Sequence, residues 1–217
     1  MEEQPEGAIL QRDKTTYAIV PRTPAGLLTP DVLEKIASVA RKFKIPVIKI
    51  TSGQRMALVG INKEDVAPIW EALGMDIGRA TELCLHYVQA CPGTAVCKFG
   101  IQDSLGLGIA LEADLAGSGT PAKLKIGVSG CPLCCGESFV RDIGIIGKKT
   151  GWTLVFGGHS GSRPRVGDVL AEDLSTQALS QLTKKLVSYY SQNAKKKERA
   201  ARFAERVGAD AIKTAIL

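Results

Sequence analysis

Aromatic residues make up only 5% of this 217-residue chain. A surface that stacks single-stranded nucleic acid needs more rings than that, so the basic balance of the chain does not imply a nucleic-acid partner. No apolar run reaches the length of a bilayer, which excludes a membrane span on sequence grounds. The opening Met1-Glu2-Glu3-Gln4-Pro5-Glu6 has no basic segment followed by an apolar one. It carries no secretory signal, and a cytoplasmic protein is expected. No G-x-G-x-x-G follows a strand and opens a helix, so neither a flavin nor a nicotinamide fingerprint is present. Internal repeats and low-complexity segments are lacking too. Ala194 to Ala204 comes closest and is expected to be helical.

Charge and cysteine are what the chain does have. Lys and Arg exceed Asp and Glu by 28 to 22, a net charge of +6. The densest basic run, Lys195-Lys196-Lys197 with Arg199 and Arg202, suits a solvated helix face. Anionic small molecules or an acidic protein donor are the partners such a balance fits. Six cysteines in a reducing compartment point to thiols or metal ligands rather than disulfides. Four of them form a C-x5-C pair, Cys91 and Cys97, and a C-x3-C pair, Cys131 and Cys135. A cubane 4Fe-4S centre needs one thiolate per iron, and two loops with two cysteines each can deliver them. Zinc also takes soft thiolates, but its usual hooks place two to four residues between cysteines, a spacing that C-x5-C breaks. Cys134 beside Cys135 leaves a C-x2-C pairing open, and Cys84 is expected to be a buried hydrophobe.

The length suits one large domain or two small ones. Residues 16–21 predict a strand, and Thr29-Pro30 predicts the cap and first turn of a helix. Two β-rich runs flank Thr51-Ser52-Gly53-Gln54, and a helix capped by Asn62 and stopped near Gly74 follows. This is a βαββα unit over residues 8–75. Residues 76–217 hold all six cysteines, with a helix capped by Asp103-Ser104, a strand over residues 123–128, strands around 142–146 and 152–156, and a C-terminal amphipathic helix through Leu179, Leu182, Leu186 and Tyr190. The fold class is α+β.

Three stretches resemble the siroheme-dependent sulfite and nitrite reductases: Cys91-Pro-Gly-Thr-Ala-Val-Cys97-Lys98, Lys123-Leu-Lys125-Ile-Gly-Val-Ser-Gly-Cys131-Pro-Leu-Cys-Cys135, and Thr51-Ser-Gly-Gln54-Arg55. Size and single-copy modules resemble the low-molecular-weight assimilatory type. The likeness implies a ferredoxin-like half domain followed by a mixed-sheet domain for a 4Fe-4S cluster and siroheme. It implies that Cys91, Cys97, Cys131 and Cys135 hold the cluster and that Cys135 bridges to the siroheme iron. It implies six-electron reduction of sulfite to sulfide, with electrons from an external carrier such as a ferredoxin. Nitrite reduction to ammonia, or a 4Fe-4S electron-transfer protein without siroheme, are the alternatives.

An oxyanion site needs cations. Lys123 and Lys125 share one face of their strand about 6 to 7 Å apart, and the resemblance assigns them substrate contact. Arg55, after its turn, and Lys98, after a cluster cysteine, are the next candidates, with Gln54 placed beside Arg55 at the cofactor. Siroheme carries many carboxylates, and the loop 157–165 offers backbone amides at Gly158 together with His159, Arg163 and Arg165. Larger members of the family hold two copies of this arrangement with the site between them, whereas this chain has one. An isologous homodimer is therefore expected to complete the pocket. Gly53 stands where some relatives place a substrate-binding arginine, and Arg55 is the substitute at hand.

Overall fold

The computed structural model describes residues 4–217, which divide into a unit ending at Thr81 and a unit starting at Glu82. In the first, β1 (Ala8–Leu10), β2 (Tyr17–Ile19), β3 (Val47–Ile50) and β4 (Met56–Ile61) form an antiparallel sheet in the order β1-β2-β4-β3. Helices α1 (Pro30–Lys42) and α2 (Val66–Leu73) pack together over a core of Ile19, Ile36, Leu58, Ile69 and Leu73. Burying each such side chain contributes roughly 1.5–3 kcal/mol. Thr29 Oγ1 accepts the Val32 amide at 3.3 Å and Pro30 starts α1, as the sequence predicts. Gly74 ends α2 with φ 54, a left-handed conformation that glycine enters without a Cβ clash. Two details differ from expectation. Strand β1 precedes the βαββα order, and Asn62 does not cap α2 directly. A 3-10 turn at Lys63–Asp65 intervenes, and Asn62 Nδ2 donates to Asp65 Oδ2 at 3.2 Å.

The second unit is built on a five-stranded mixed sheet, β5 (Leu85–Ala90), β6 (Leu124–Ser129), β7 (Ile143–Lys148), β8 (Gly151–Phe156) and β9 (Asp168–Leu174), adjacent in that order. Strands β5, β6 and β7 are parallel, and β8 and β9 run antiparallel to their neighbours. The crossover between β5 and β6 is α3 (Ser104–Leu115), started by Asp103 Oδ1 accepting the Gly106 amide at 2.9 Å. Helix α4 (Thr176–Asn193) packs on β8 and β9. The C-terminal stretch is not one long helix: α5 (Ala200–Val207) and α6 (Ala209–Ile216) follow a break, and Lys195-Lys196-Lys197 lies in that break. Phe156, Tyr190 and Phe203 meet edge-to-face at centroid distances of 5.3 to 6.2 Å, which ties α4 and α5 to β8. Such ring pairs add about 0.5–1.5 kcal/mol each beyond burial. No helix of the described residues is long and apolar enough to cross a membrane.

The break is held by Glu198, whose carboxylate takes two hydrogen bonds of 2.8 Å from Arg206. Those bonds, above all other causes, lower its pKa from the ordinary 4.5 to about 2. The folded value lies below the unfolded one, so the contribution is complete above pH 4.5 and is lost as pH falls toward 2. In an acid titration followed by circular dichroism, Glu198→Gln should lack the component that the parent loses in this window.

Candidate cluster and anion site

Both cysteine pairs follow parallel neighbouring strands, so both start at the same edge of the sheet. Cys91 follows β5, and its amide extends the ladder to Val128 O at 3.0 Å. Cys131 follows β6 after Gly130. The two loops are zipped together: the Ile101 and Gln102 amides donate to Gly130 O at 2.9 and 3.0 Å, and the Gly130 amide donates to Cys91 Sγ at 3.1 Å. Ser104 Oγ sits 3.2 Å from the same sulfur and donates to Cys91 O at 2.8 Å. This interlock requires glycines, because a Cβ on Gly130 would lie 2.8 Å from Gly93 Cα, and one on Gly100 would lie 2.5 Å from Gly93 C. None of the six cysteines forms a disulfide. Cys91 and Cys131 are buried, Cys97 and Cys135 exposed, Cys134 half-buried, and Cys84 buried. Among the described residues, no three His, Cys, Asp or Glu side chains are gathered for a single metal ion. In a cubane each thiolate binds its own iron.

The C-x3-C loop folds back over β6. The Gly136 amide donates to Ser129 Oγ at 3.0 Å, and Ser129 Oγ meets Ser138 Oγ at 2.8 Å. The returning chain lies on a floor of two paired glycines, Gly127 of β6 and Gly144 of β7. A Cβ at Gly127 would meet Gly136 O at 2.4 Å, and one at Gly144 would meet Ser138 O at 1.9 Å. Alternation puts Lys125 on the same face of β6 as Gly127 and Ser129. The turn that carries Cys135 and the lysine thus share one side of the sheet.

Lys125 lines a cavity of about 140 Å³ with Arg141, Asp142, Gly158, His159, Ser160 and Arg199. Its ammonium lies 5.8 Å from the centre of the Tyr87 ring, and the Arg141 guanidinium lies 5.9 Å from the same ring centre. Arg141 is buried. It donates to Gln89 Oε1 at 2.5 Å and forms an ion pair with Glu137. Burial first, and then the cation of Arg199, lower the Lys125 pKa from the ordinary lysine value. Lys123 immediately precedes β6 rather than lying within it, and is half-buried.

Of the other predicted positions, Gly158 and His159 line the Lys125 cavity. In the loop 157–165, His159 and Arg165 exchange backbone hydrogen bonds of 2.9 and 2.8 Å, and the His159 ring lies over Gly161. Gly158 has no room for a Cβ, which would lie 2.5 Å from Arg141 O. The Arg165 guanidinium is occupied within the chain, by Asp168 Oδ2 at 2.5 Å and Gly157 O at 2.9 Å, while Arg163 is exposed. Lys98 is exposed, with Nζ 4.9 Å from the Phe99 ring centre. In the first unit, Gln54 has φ 58 in its turn and Arg55 donates to Arg79 O at 2.6 Å.

Residues 83–217 match the family model described as the nitrite and sulphite reductase 4Fe-4S domain, and residues 9–75 match the nitrite/sulfite reductase ferredoxin-like half domain. The chain belongs to the nitrite and sulphite reductase family. Across its whole length it is 60% identical to the assimilatory-type sulfite reductase of Nitratidesulfovibrio vulgaris, and it covers that protein completely. It is 40% identical over 209 residues to the NAD(P)H nitrite reductase of Bacillus subtilis, with 96% of this chain aligned, but it spans 26% of that protein. A crystal structure of dissimilatory sulfite reductase I superposes with a TM-score of 0.83 at 14% identity, covering 93% of this chain and 69% of the other, a likeness of fold. In the nitrite and sulphite reductase family the α+β reading therefore holds: a ferredoxin-like half domain, then the 4Fe-4S domain.

The donor set fits the cofactors of this nitrite and sulphite reductase family. Four thiols stand on two interlocked loops, with the Gly130 amide donating to the Cys91 sulfur, the kind of contact that steadies a cluster thiolate. Val96, Phe99 and Leu133, in or beside the same loops, are exposed apolar side chains suited to a flat macrocycle. Sequence reasoning missed Ser104, Gly130, Tyr87, Gln89, Arg141, Asp142 and Arg199. Gly130, beside a cysteine, carried the one readable signal, since glycine marks close backbone approach.

Proposed function

We propose that this chain reduces sulfite to sulfide, with Cys91, Cys97, Cys131 and Cys135 holding a 4Fe-4S cluster and Cys135 joining it to siroheme. The observation that carries this reading is the 60% identity over full length to an assimilatory-type sulfite reductase, set on a fold in which the turn that carries Cys135 lies on the sheet face of Lys125. The nitrite reductase relative is less similar and nearly four times as long, which supports sulfite over nitrite. When bound, the cluster and siroheme supply electrons and the iron at which the anion is reduced.

The protein's part is to hold the anion and provide protons. Lys125 Nζ, backed by Arg141 and Arg199, gives the cavity a cationic wall. Each sulfite oxygen leaves as water and needs two protons, and a lysine whose pKa is lowered by burial gives up its proton more readily at Nζ. Lys123, just before β6, adds a second cation near Lys125, and Lys98 stands on the cluster loop. Gly158, His159 and Arg163 are the cofactor-facing candidates of the loop, with Arg165 shaping it through Asp168. Electrons come from a separate small carrier such as a ferredoxin.

The deciding experiment is an absorption spectrum of anaerobically purified protein, followed by sulfite and nitrite assays with a chemical reductant. Broad iron-sulfur absorption with a sharp red-region band, and turnover of sulfite in preference to nitrite, is the expected result. Cluster absorption without that band and without turnover would instead mark an electron-transfer protein.

A further inference from the structure

Asp142 is the most deeply buried carboxylate of the site, 1% exposed, at the start of β7. Its Oδ2 accepts the backbone amide of Lys125 at 3.0 Å, so it lies directly beside the lysine strand. Both of its oxygens are taken by Arg199 Nη2, at 2.8 and 2.9 Å. Arg199 is 57 positions away, in the break before α5, and it lines the same cavity as Lys125. Among the described residues, the Lys125 ammonium makes no ion pair, although a buried carboxylate stands next to its own backbone. The guanidinium already satisfies that carboxylate.

We propose that Arg199 is a positioning residue: by occupying Asp142, it keeps the Lys125 ammonium turned to the cavity and available to an anion. The assignment rests on the reading of Lys125 as the sulfite contact. Without Arg199, the nearest strong partner for a buried carboxylate is the lysine one strand away, because an unpaired buried charge is costly. Lys125 would then be spent on Asp142, and the cavity would lose two cations at once. The groups facing Lys125 are the Tyr87 ring from β5, Lys123 just before its own strand, Arg141 with Glu137 behind it, Asp142, His159 from the loop, and Arg199 from the C-terminal segment. Of these, Asp142 is the acid beside Lys125, since Glu137 is paired with Arg141.

The test uses the reconstituted holoenzyme and two readouts. One is the sulfite KM and kcat with a reduced viologen dye. The other is competitive acetylation of Lys125 and Lys123 across pH, read by peptide mass spectrometry, which needs no turnover. For Arg199→Met, KM for sulfite should rise about ten- to a hundredfold, the loss expected for one charge-assisted contact, and kcat should fall with it, because Lys125 also delivers protons. The labelling midpoint of Lys125 should move up while that of Lys123 stays. Adding Asp142→Asn to Arg199→Met should return both readouts toward the parent, since the competing acid is then gone. Asp142→Asn alone, nearly isosteric and able to keep the bond to the Lys125 amide, should lower the midpoint without raising KM. It decides the matter if Arg199→Met fails to fold. Unchanged KM and labelling in Arg199→Met, no rescue in the double variant, or a raised KM in Asp142→Asn would each overturn the proposal. A parent enzyme that does not turn over sulfite would remove the functional reading instead, and the labelling would still decide the role of Arg199.

Discussion

Cys135→Ser is expected to strip the protein of its iron-sulfur absorption and of turnover, a loss of more than about a hundredfold, while Cys134→Ser keeps both. Metal-bound serine oxygen is a poor substitute for a soft thiolate on iron. The contrast between adjacent cysteines comes from the turn. Cys134 occupies its centre with φ 54, its amide on Cys131 O at 3.2 Å and its carbonyl accepting from Glu137 at 2.8 Å. Cys135 is exposed, as Cys97 is, whereas Cys91 and Cys131 are buried, which leaves a large macrocycle room to approach Cys135. The measurement is iron and sulfide content with the absorption spectrum of each anaerobically purified variant. Cluster loss in Cys134→Ser with retention in Cys135→Ser would exchange their roles.

Lys125→Met should raise the sulfite KM by about ten- to a hundredfold, since a charge-assisted hydrogen bond to an anion contributes about 1.5–3 kcal/mol. The cofactor spectrum should stay intact, because the lysine lies outside both cysteine loops. The pH dependence follows from burial, and next from Arg199, lowering the lysine pKa. The ammonium is charged below that pKa, so anion affinity is full on the acid side and falls as pH rises through it. In the parent, kcat/KM should therefore decline at a pH below the ordinary lysine range, and in Lys125→Met that limb should vanish. A parent profile flat to the ordinary lysine range, or an unchanged limb in the variant, would count against substrate contact.

Local signals carried the legible part of the fold. Thr29-Pro30, Asp103 and Gly74 announce helix ends through chemistry confined to a few residues, and the cysteine spacing marks the cluster loops. Strand β1, three residues long, has no room for a period. Strand β9, Asp168 to Leu174, carries three acids that mask its alternation. The break between α4 and α5 has neither glycine nor proline to mark it, only a run of lysines that a helix would carry equally well. The anion site was half legible for a related reason. Lys123-x-Lys125 is a local pattern, whereas Asp142 and Arg199 are single charges that the fold alone brings together, and either taken by itself resembles surface.

Gly127 and Gly144 face each other across β6 and β7, with the Gly136–Ser138 segment resting on them. Because strand faces alternate with every residue, a slip of β7 by one position would bring Ile143 or Ile145 under that segment, where a branched side chain has no space. The glycine pair is therefore a registration mark. It admits a single alignment of the two strands, and with it one setting of Asp142, at the head of β7, against the lysine end of β6.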